Sequence, residues 1–240
     1  MGKYRIALAG NPNTGKSTLF NTLTGLRQHT GNWTGKTVAK AEGEYLHNEQ
    51  GYIIVDLPGT YSLHSNSADE EIARDYIIFE KPDVTVVVLD ATAMERNLNL
   101  ALQVMEMTNN VVVCVNLIDE AEKKGITVDA GKLSRSLGVP VVKISARNKT
   151  GLKQLLDTIE LVAKGTLEPK PYQVRYSDSI EKMITALEPG VKKLFQDAYP
   201  IRWVALRMLD GDKSLLETLQ QNYKTPSMKE VFVNGVSFSQ

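Results

Sequence analysis

The octapeptide Gly10-Asn11-Pro12-Asn13-Thr14-Gly15-Lys16-Ser17 constrains the fold more than any other stretch of this chain. It matches G-x-x-x-x-G-K-[ST], starting on the last residue of the apolar run YRIALAG and leading into the helix-like run STLFNTLTG. A strand, a glycine loop and a helix in that order turn successive backbone N–H groups onto phosphate oxygens, and the helix N-terminus adds partial positive charge. Gly10 and Gly15 permit the bend. Lys16 is the expected counter-charge to β- and γ-phosphates and Ser17 the expected Mg²⁺ ligand. The backbone from Thr14 through Gly15 to Thr18 is expected to line the phosphates, with Thr18 at the α-phosphate.

The rest of the chain fits a scaffold for such a loop. YRIALAG, GYIIVDL, DVTVVVLD, NVVVCVN and PVVKIS are near-continuously apolar, as strands buried on both faces are. Between them lie segments with apolar residues at three- and four-residue spacing, such as Leu152, Leu155, Leu156 and Ile159. VAKAEGEYLH alternates and is expected to pair antiparallel at the sheet edge. The expected fold is therefore α/β: a mostly parallel six-stranded sheet flanked by helices, of the P-loop type. Near residue 165 the strand signals stop. GTLEPKPYQ, with Gly165, Pro169 and Pro171, reads as a linker, and the segments after it read as helices. The expected organisation is a nucleotide-binding domain over 1–165, a linker over 166–171, a small all-α appendage over 172–222 and a tail over 223–240.

Composition excludes several classes. Lys plus Arg (28) equals Asp plus Glu (28), so there is no basic excess to favour nucleic acid. The lone Cys114, inside VVVCVNL, reads as a core residue and can form neither a disulfide framework nor a metal cluster. No secretory signal is present and no apolar run approaches a membrane span, so the chain as given is expected to be soluble. His29, His47 and His64 share no metal-ligand spacing. They read as solvated loop residues and offer no credible metal site.

Three further motifs narrow the nucleotide. Asp56-Leu57-Pro58-Gly59 ends YIIVDL, which puts a carboxylate near the Mg²⁺ shell and the Gly59 backbone near the γ-phosphate. Asn116-Leu117-Ile118-Asp119 follows VVVCV. An aspartate there accepts from the ring N–H and exocyclic amine of guanine, whereas adenine presents an acceptor. Asn116 can reach the N7 side of the base, and a backbone N–H of Ser145-Ala146 the guanine carbonyl. Each piece closes a strand at its C-terminal end, where ligands of open α/β sheets bind. Together they predict GTP. Of Thr30, Thr34 and Thr37, Thr37 is the expected closing residue over Mg²⁺ and γ-phosphate, in a loop that orders on the triphosphate. Trp33 reads as packing on the domain, capping the nucleotide or meeting a partner. Thr60 stands where many GTPases carry a water-positioning Gln, so slow turnover with water held by backbone groups is expected.

GNPNTGKSTLFNTLTG, GNWTGKTV, DLPGTYSL, ERNLNLALQ and NLIDEAEKKG closely resemble the N-terminal cytosolic G domain of the ferrous-iron transport protein B (FeoB) family. IRWVALRMLDGD resembles the helical domain that follows it there, described as slowing GDP release. The resemblance covers roughly residues 3–220. It implies a K⁺-activated GTPase in which Asn13 and backbone carbonyls around Gly31 and Trp33 hold K⁺, and it supports the roles of Lys16, Ser17, Thr37, Asp56, Gly59, Asn116, Asp119, Ser145 and Ala146. Asn11 reads as bracing the loop. The family's first switch often reads GNWPGVTVE, and here Thr34, Lys36 and Ala39 replace Pro, Val and Glu. In the family a polytopic membrane domain follows and moves Fe²⁺. This chain stops before it and is read as a soluble fragment from the cytoplasmic face of the bacterial inner membrane. Its implied partners are guanine nucleotide and that membrane-embedded domain, with a homo-oligomer as a further candidate and no nucleic acid. Two other functions compete: an RNA-associated K⁺-dependent GTPase of ribosome assembly or tRNA modification, and a non-catalytic nucleotide-binding module.

Overall fold

The structure is a computed structural model and describes residues 2–25, 28–33, 37–64 and 67–223. The chain divides into two compact units, Met1–Gln173 and Val174–Gln240.

The first unit is built on one sheet whose strands are β1 (Tyr4–Gly10), β2 (Gln28–Asn32), β3 (Ala39–His47), β4 (Gln50–Asp56), β5 (Val84–Asp90), β6 (Val111–Asn116) and β7 (Val141–Lys143). Their order is β2-β3-β4-β1-β5-β6-β7. β1 pairs in parallel with β4 and β5, and β5–β6 and β6–β7 are also parallel. β3 pairs antiparallel with both β2 and β4. β5 and β6 are buried along almost their whole length because helices cover both faces. The sheet thus has seven strands and not the expected six. The extra one, β2, lies in QHTGN, and β3 is an inner strand instead of the edge.

The helices are α1 (Lys16–Thr24), α2 (Ala68–Asp75), α3 (Met94–Met107), α4 (Ile118–Lys123), α5 (Ala130–Leu137) and α6 (Leu152–Ala163). α2 continues as one π-helical turn, Tyr76–Glu80. Leu19 and Phe20 of α1 and Leu155 and Ile159 of α6 pack on Ile6 and Ile54 to form the main core. Burying a side chain of this size stabilises the fold by about 1.5–3 kcal/mol. β1 is flanked by β4 on one side and β5 on the other, so the order of parallel strands reverses there. The loop leaving β1 therefore opens into the crevice where such sheets take ligands.

The segment after α6 is tied to the C-terminal end of α5. Lys170 N–H donates to Gly138 O at 2.9 Å and Tyr172 N–H to Leu137 O at 2.8 Å. The second unit contains α7 (Asp178–Phe195), α8 (Ile201–Asp210) and α9 (Lys213–Tyr223). Ile184, Val191, Phe195 and Val204 are fully buried within it, and Gly211 ends α8 in left-handed backbone at φ 73°. Arg202 grips both carboxylate oxygens of Glu181 at 2.9 and 2.8 Å and reaches Val174 O at 2.9 Å. Among the described residues, no helix is long and apolar enough to cross a membrane. Residues 224–240 of the expected tail, and Thr34, Gly35 and Lys36 of the first switch, lie outside the described residues.

Candidate functional site

A cleft of about 280 Å³ opens at the C-terminal end of β1, lined by Asn11, Pro12, Asn13, Gly15, Lys16, Ser17, Thr18 and Gly59. Its shape depends on two glycines. Gly15 caps α1 with φ 78°, and a Cβ there would lie 2.4 Å from Asn116 Nδ2. A Cβ on Gly10 would lie 2.7 Å from Val88 O. Any larger residue at either position pushes the loop off β5 and β6. The α1 N-terminus therefore points its unpaired N–H groups into the cleft.

Charge inside the cleft is carried by Lys16 and Asp56. Lys16 Nζ, almost fully buried, pairs with Asp56 Oδ1 and donates to Leu57 O. Ser17 Oγ donates to Asp56 Oδ2 at 3.0 Å. Asp56 ends β4, directly beside β1, so register alone brings its carboxylate to the loop. Gly59 packs on Pro12, and the buried Thr60 donates its N–H to Gly10 O at 3.3 Å. A hydroxyl and a carboxylate oxygen at hydrogen-bond distance suit Mg²⁺, which prefers hard oxygen ligands.

The far wall is tied to the loop by one side chain. Asn116 is fully buried; its Nδ2 donates to Thr14 O at 2.9 Å and its Oδ1 accepts from Ala146 N–H at 3.0 Å. One Nδ2 hydrogen is left for a base. Ser145 exchanges backbone bonds with Thr150 at 3.1 Å each way. Asp119 Oδ2 accepts from Asn148 at 3.0 Å, while its Oδ1 is buried and has no partner among the described residues. A buried carboxylate oxygen without a donor costs free energy, and a ligand N–H at this point removes that cost.

Sequence and structure part company at the first switch. Asn13 is exposed on the cleft in left-handed backbone at φ 66°. Gly31, on β2, pairs with Lys40 of β3 and lies three strand spacings from β1, or about 14 Å. Trp33 packs edge-on against Tyr76 at 5.5 Å with Lys40 Nζ 5.2 Å from its ring. The structure therefore does not bring the K⁺ donors Asn13, Gly31 and Trp33 together. Thr37 is exposed, four residues beyond Ala41, which lies level with Asp56. It is not joined to the Ser17–Asp56 pair.

Two readings of single residues need correction. Asn11 is buried with both side-chain polar atoms lacking a partner among the described residues. Its backbone carbonyl, not its amide, accepts from Thr14 Oγ1 at 3.0 Å. His47 is no solvated loop residue: it ends β3 and its Nε2 lies 2.7 Å from Asp157 Oδ1.

The family model described as ferrous iron transport protein B matches residues 4–159, and the model of the FeoB cytosolic helical domain matches 176–232. The Fe(2+) transporter FeoB of Methanocaldococcus jannaschii is 43% identical over 96% of this chain and 34% of its own length. A Fe(2+) transport protein A/Fe(2+) transporter FeoB fusion protein of Porphyromonas gingivalis is 40% identical over 88% of this chain and 26% of its own. The chain spans about a third or less of the curated relatives it matches. The cytosolic domain of the T. maritima FeoB iron transporter in a GDP form superposes with a TM-score of 0.84 at 35% identity, covering 92% of this chain and 86% of that one. The FeoB G domain from Methanococcus jannaschii gives 0.61 at 51% identity, covering 68% and 99%. A glycine loop at the sheet's switch point, closed by Asp56 and Asn116, and matches across both compact units lead to one conclusion: this chain belongs to the FeoB ferrous-iron transport family, comprising its G domain and its cytosolic helical domain.

Proposed function

We propose that the cleft binds GTP with Mg²⁺ and hydrolyses it slowly to GDP and phosphate, and that this serves ferrous-iron transport by a larger protein. The observation that carries the guanine reading is that Asp119 Oδ1 is buried with no partner among the described residues, an unused acceptor of the kind a base ring N–H would satisfy. Lys16 exchanges Asp56 for β- and γ-phosphate oxygens. Ser17 and Asp56 would hold Mg²⁺, which would neutralise charge on those oxygens. The loop N–H groups and the α1 N-terminus take the remaining phosphate oxygens. The attacking water is oriented by backbone at Gly59–Thr60, because residue 60 offers no carboxamide. Its proton passes to the phosphate as the β–γ bridging bond breaks.

Acceleration by K⁺ belongs to the same reading. Of that donor set only Asn13 stands on the cleft, so Gly31 and Trp33 contribute only if β2 leaves β3, and Thr37 closes the site in the same movement. The helical unit slows GDP release, and the membrane-embedded part of the transporter is the partner, met at the cytoplasmic face of the membrane. The RNA-associated alternative is disfavoured by family matches over both units. Phosphate release from GTP in K⁺ and in Na⁺, with Asn13→Ala and ATP as controls, tests the proposal. Faster turnover in K⁺ that disappears in Asn13→Ala and with ATP supports it. No GTP turnover in either salt leaves a binding module in place of an enzyme.

A further inference from the structure

A second cluster of potential ligands sits at the other end of the sheet. β3 runs antiparallel to β4, so its C-terminal residue His47 pairs with Gln50, six residues back from Asp56 and about 20 Å from the nucleotide cleft. Facing it from α6 are Asp157 and Glu160. Their i, i+3 spacing puts both carboxylates on one helix face. The three ligand atoms all lie within 4.8 Å of one another. His47 Nε2 is 2.7 Å from Asp157 Oδ1 and 4.0 Å from Glu160 Oε2.

The surrounding contacts leave the inner side of the cluster to His47. Lys153 bonds the outer oxygen of Asp157, Oδ2, at 2.6 Å, and Lys164 bonds the outer oxygen of Glu160, Oε1. These two lysines hold both carboxyls below the usual carboxylate range, Asp157 with help from His47 and Glu160 with help from Asn48. Asn48 Nδ2 donates to Glu160 Oε2 at 2.7 Å, and that oxygen keeps a second lone pair. Carboxylate ligands anchored from behind by hydrogen bonds are the usual outer layer of a metal site.

A second observation points to a ligand here. Tyr52 is 2% exposed, and its hydroxyl has no partner among the described residues. It belongs to the core packed on α6, and the Glu160 charge reaches it. A hydrated ion at the cluster would bring water toward that hydroxyl.

We propose that His47, Asp157 and Glu160 bind one divalent first-row transition-metal ion at the end of the sheet opposite the nucleotide cleft. One imidazole and two carboxylates suit ions of the Mn²⁺ to Zn²⁺ series, and the nitrogen ligand disfavours Mg²⁺ and Ca²⁺. Bonds of about 2.1 Å place neighbouring ligand atoms about 3.0–3.4 Å apart, between the two observed His47 distances. The bound ion ties the β3–β4 hairpin to α6, the helix that follows the Ser145–Thr150 loop.

Equilibrium dialysis of the chain against Co²⁺, with GDP and excess Mg²⁺ present to fill the nucleotide cleft, tests this. One Co²⁺ per chain with a visible ligand-field band is expected. Asp157→Asn and His47→Gln each weaken retention by at least about tenfold, the lower end of losses seen at metal sites, while GDP affinity stays unchanged. Asp157→Asn carries the test if His47→Gln misfolds, because the Asp157 side chain is 38% exposed. No Co²⁺ retained by the unmodified chain, or equal retention in Asp157→Asn, overturns the proposal and leaves the cluster a hydrogen-bonded staple.

Discussion

Asn116→Ala separates bracing from base recognition. The side chain is fully buried and spans two loops, donating to Thr14 O at 2.9 Å and accepting from Ala146 N–H at 3.0 Å. Truncation orphans one buried carbonyl and one buried N–H. Each such group costs about 1–3 kcal/mol, and the relief of no longer burying an amide pulls the total down, so the expected loss is about 3 kcal/mol. For a chain of this size that corresponds to about 6–12 °C in Tm. The loss is expected without any nucleotide. The assay is urea unfolding followed by Trp33 fluorescence in a Trp203→Phe background, which reports the first unit alone. Asp119→Ala is the comparator. Its Oδ2 bonds only the exposed Asn148, so its stability should stay within about 0.5 kcal/mol while GDP binding falls. A loss below 1 kcal/mol in Asn116→Ala would refute the bracing argument.

Two other predictions concern different parts of the molecule. The Arg202 guanidinium, followed by the Tyr176 N–H, holds the Glu181 carboxyl down at about 2, below its unfolded value of about 4.3. The pair's stabilisation is complete above the unfolded value and is lost as pH falls through the folded one. Melting of the helical unit, followed by Trp203 in a Trp33→Phe background, should drop between pH 5 and pH 2, and Glu181→Gln should flatten that drop; an equally steep drop in the variant removes Glu181 from the explanation. Thr60→Gly keeps the backbone N–H that bonds Gly10 O, so GTP turnover should stay within about tenfold. A variant tens of times slower would show that the Thr60 side chain takes part.

The nucleotide-binding edge was legible because its residues are local and its chemistry is carried by type. Gly10, Gly15, Lys16 and Ser17 sit within eight residues, and β1, β4, β5 and β6 announce themselves by unbroken apolar runs. β2 was not legible: QHTGN is exposed along nearly its whole length, so its pairing with β3 leaves no hydrophobic alternation to read. The same strand separates Gly31 and Trp33 from Asn13, which no local motif reports. Asn116 was read through its possible contact with a base, while its bonds to Thr14 and Ala146 join positions 102 and 30 residues away. His47 meets Asp157 across 110 residues, a distance that ligand-spacing rules do not span. Short-range signals gave the chemistry of the loop. Contacts set by sheet register had to be seen.

The most direct test of the guanine-nucleotide reading is a competition titration of Mg·GDP against Mg·ADP on the unmodified chain. The Asp119 carboxylate gains two donors from guanine and faces an acceptor on adenine. Hydrogen bonds to a charged group contribute about 1.5–3 kcal/mol each, so GDP should bind at least about 100-fold more tightly than ADP. Equal affinities for the two would contradict the account, because they would mean that Asp119 and Asn116 do not read the base.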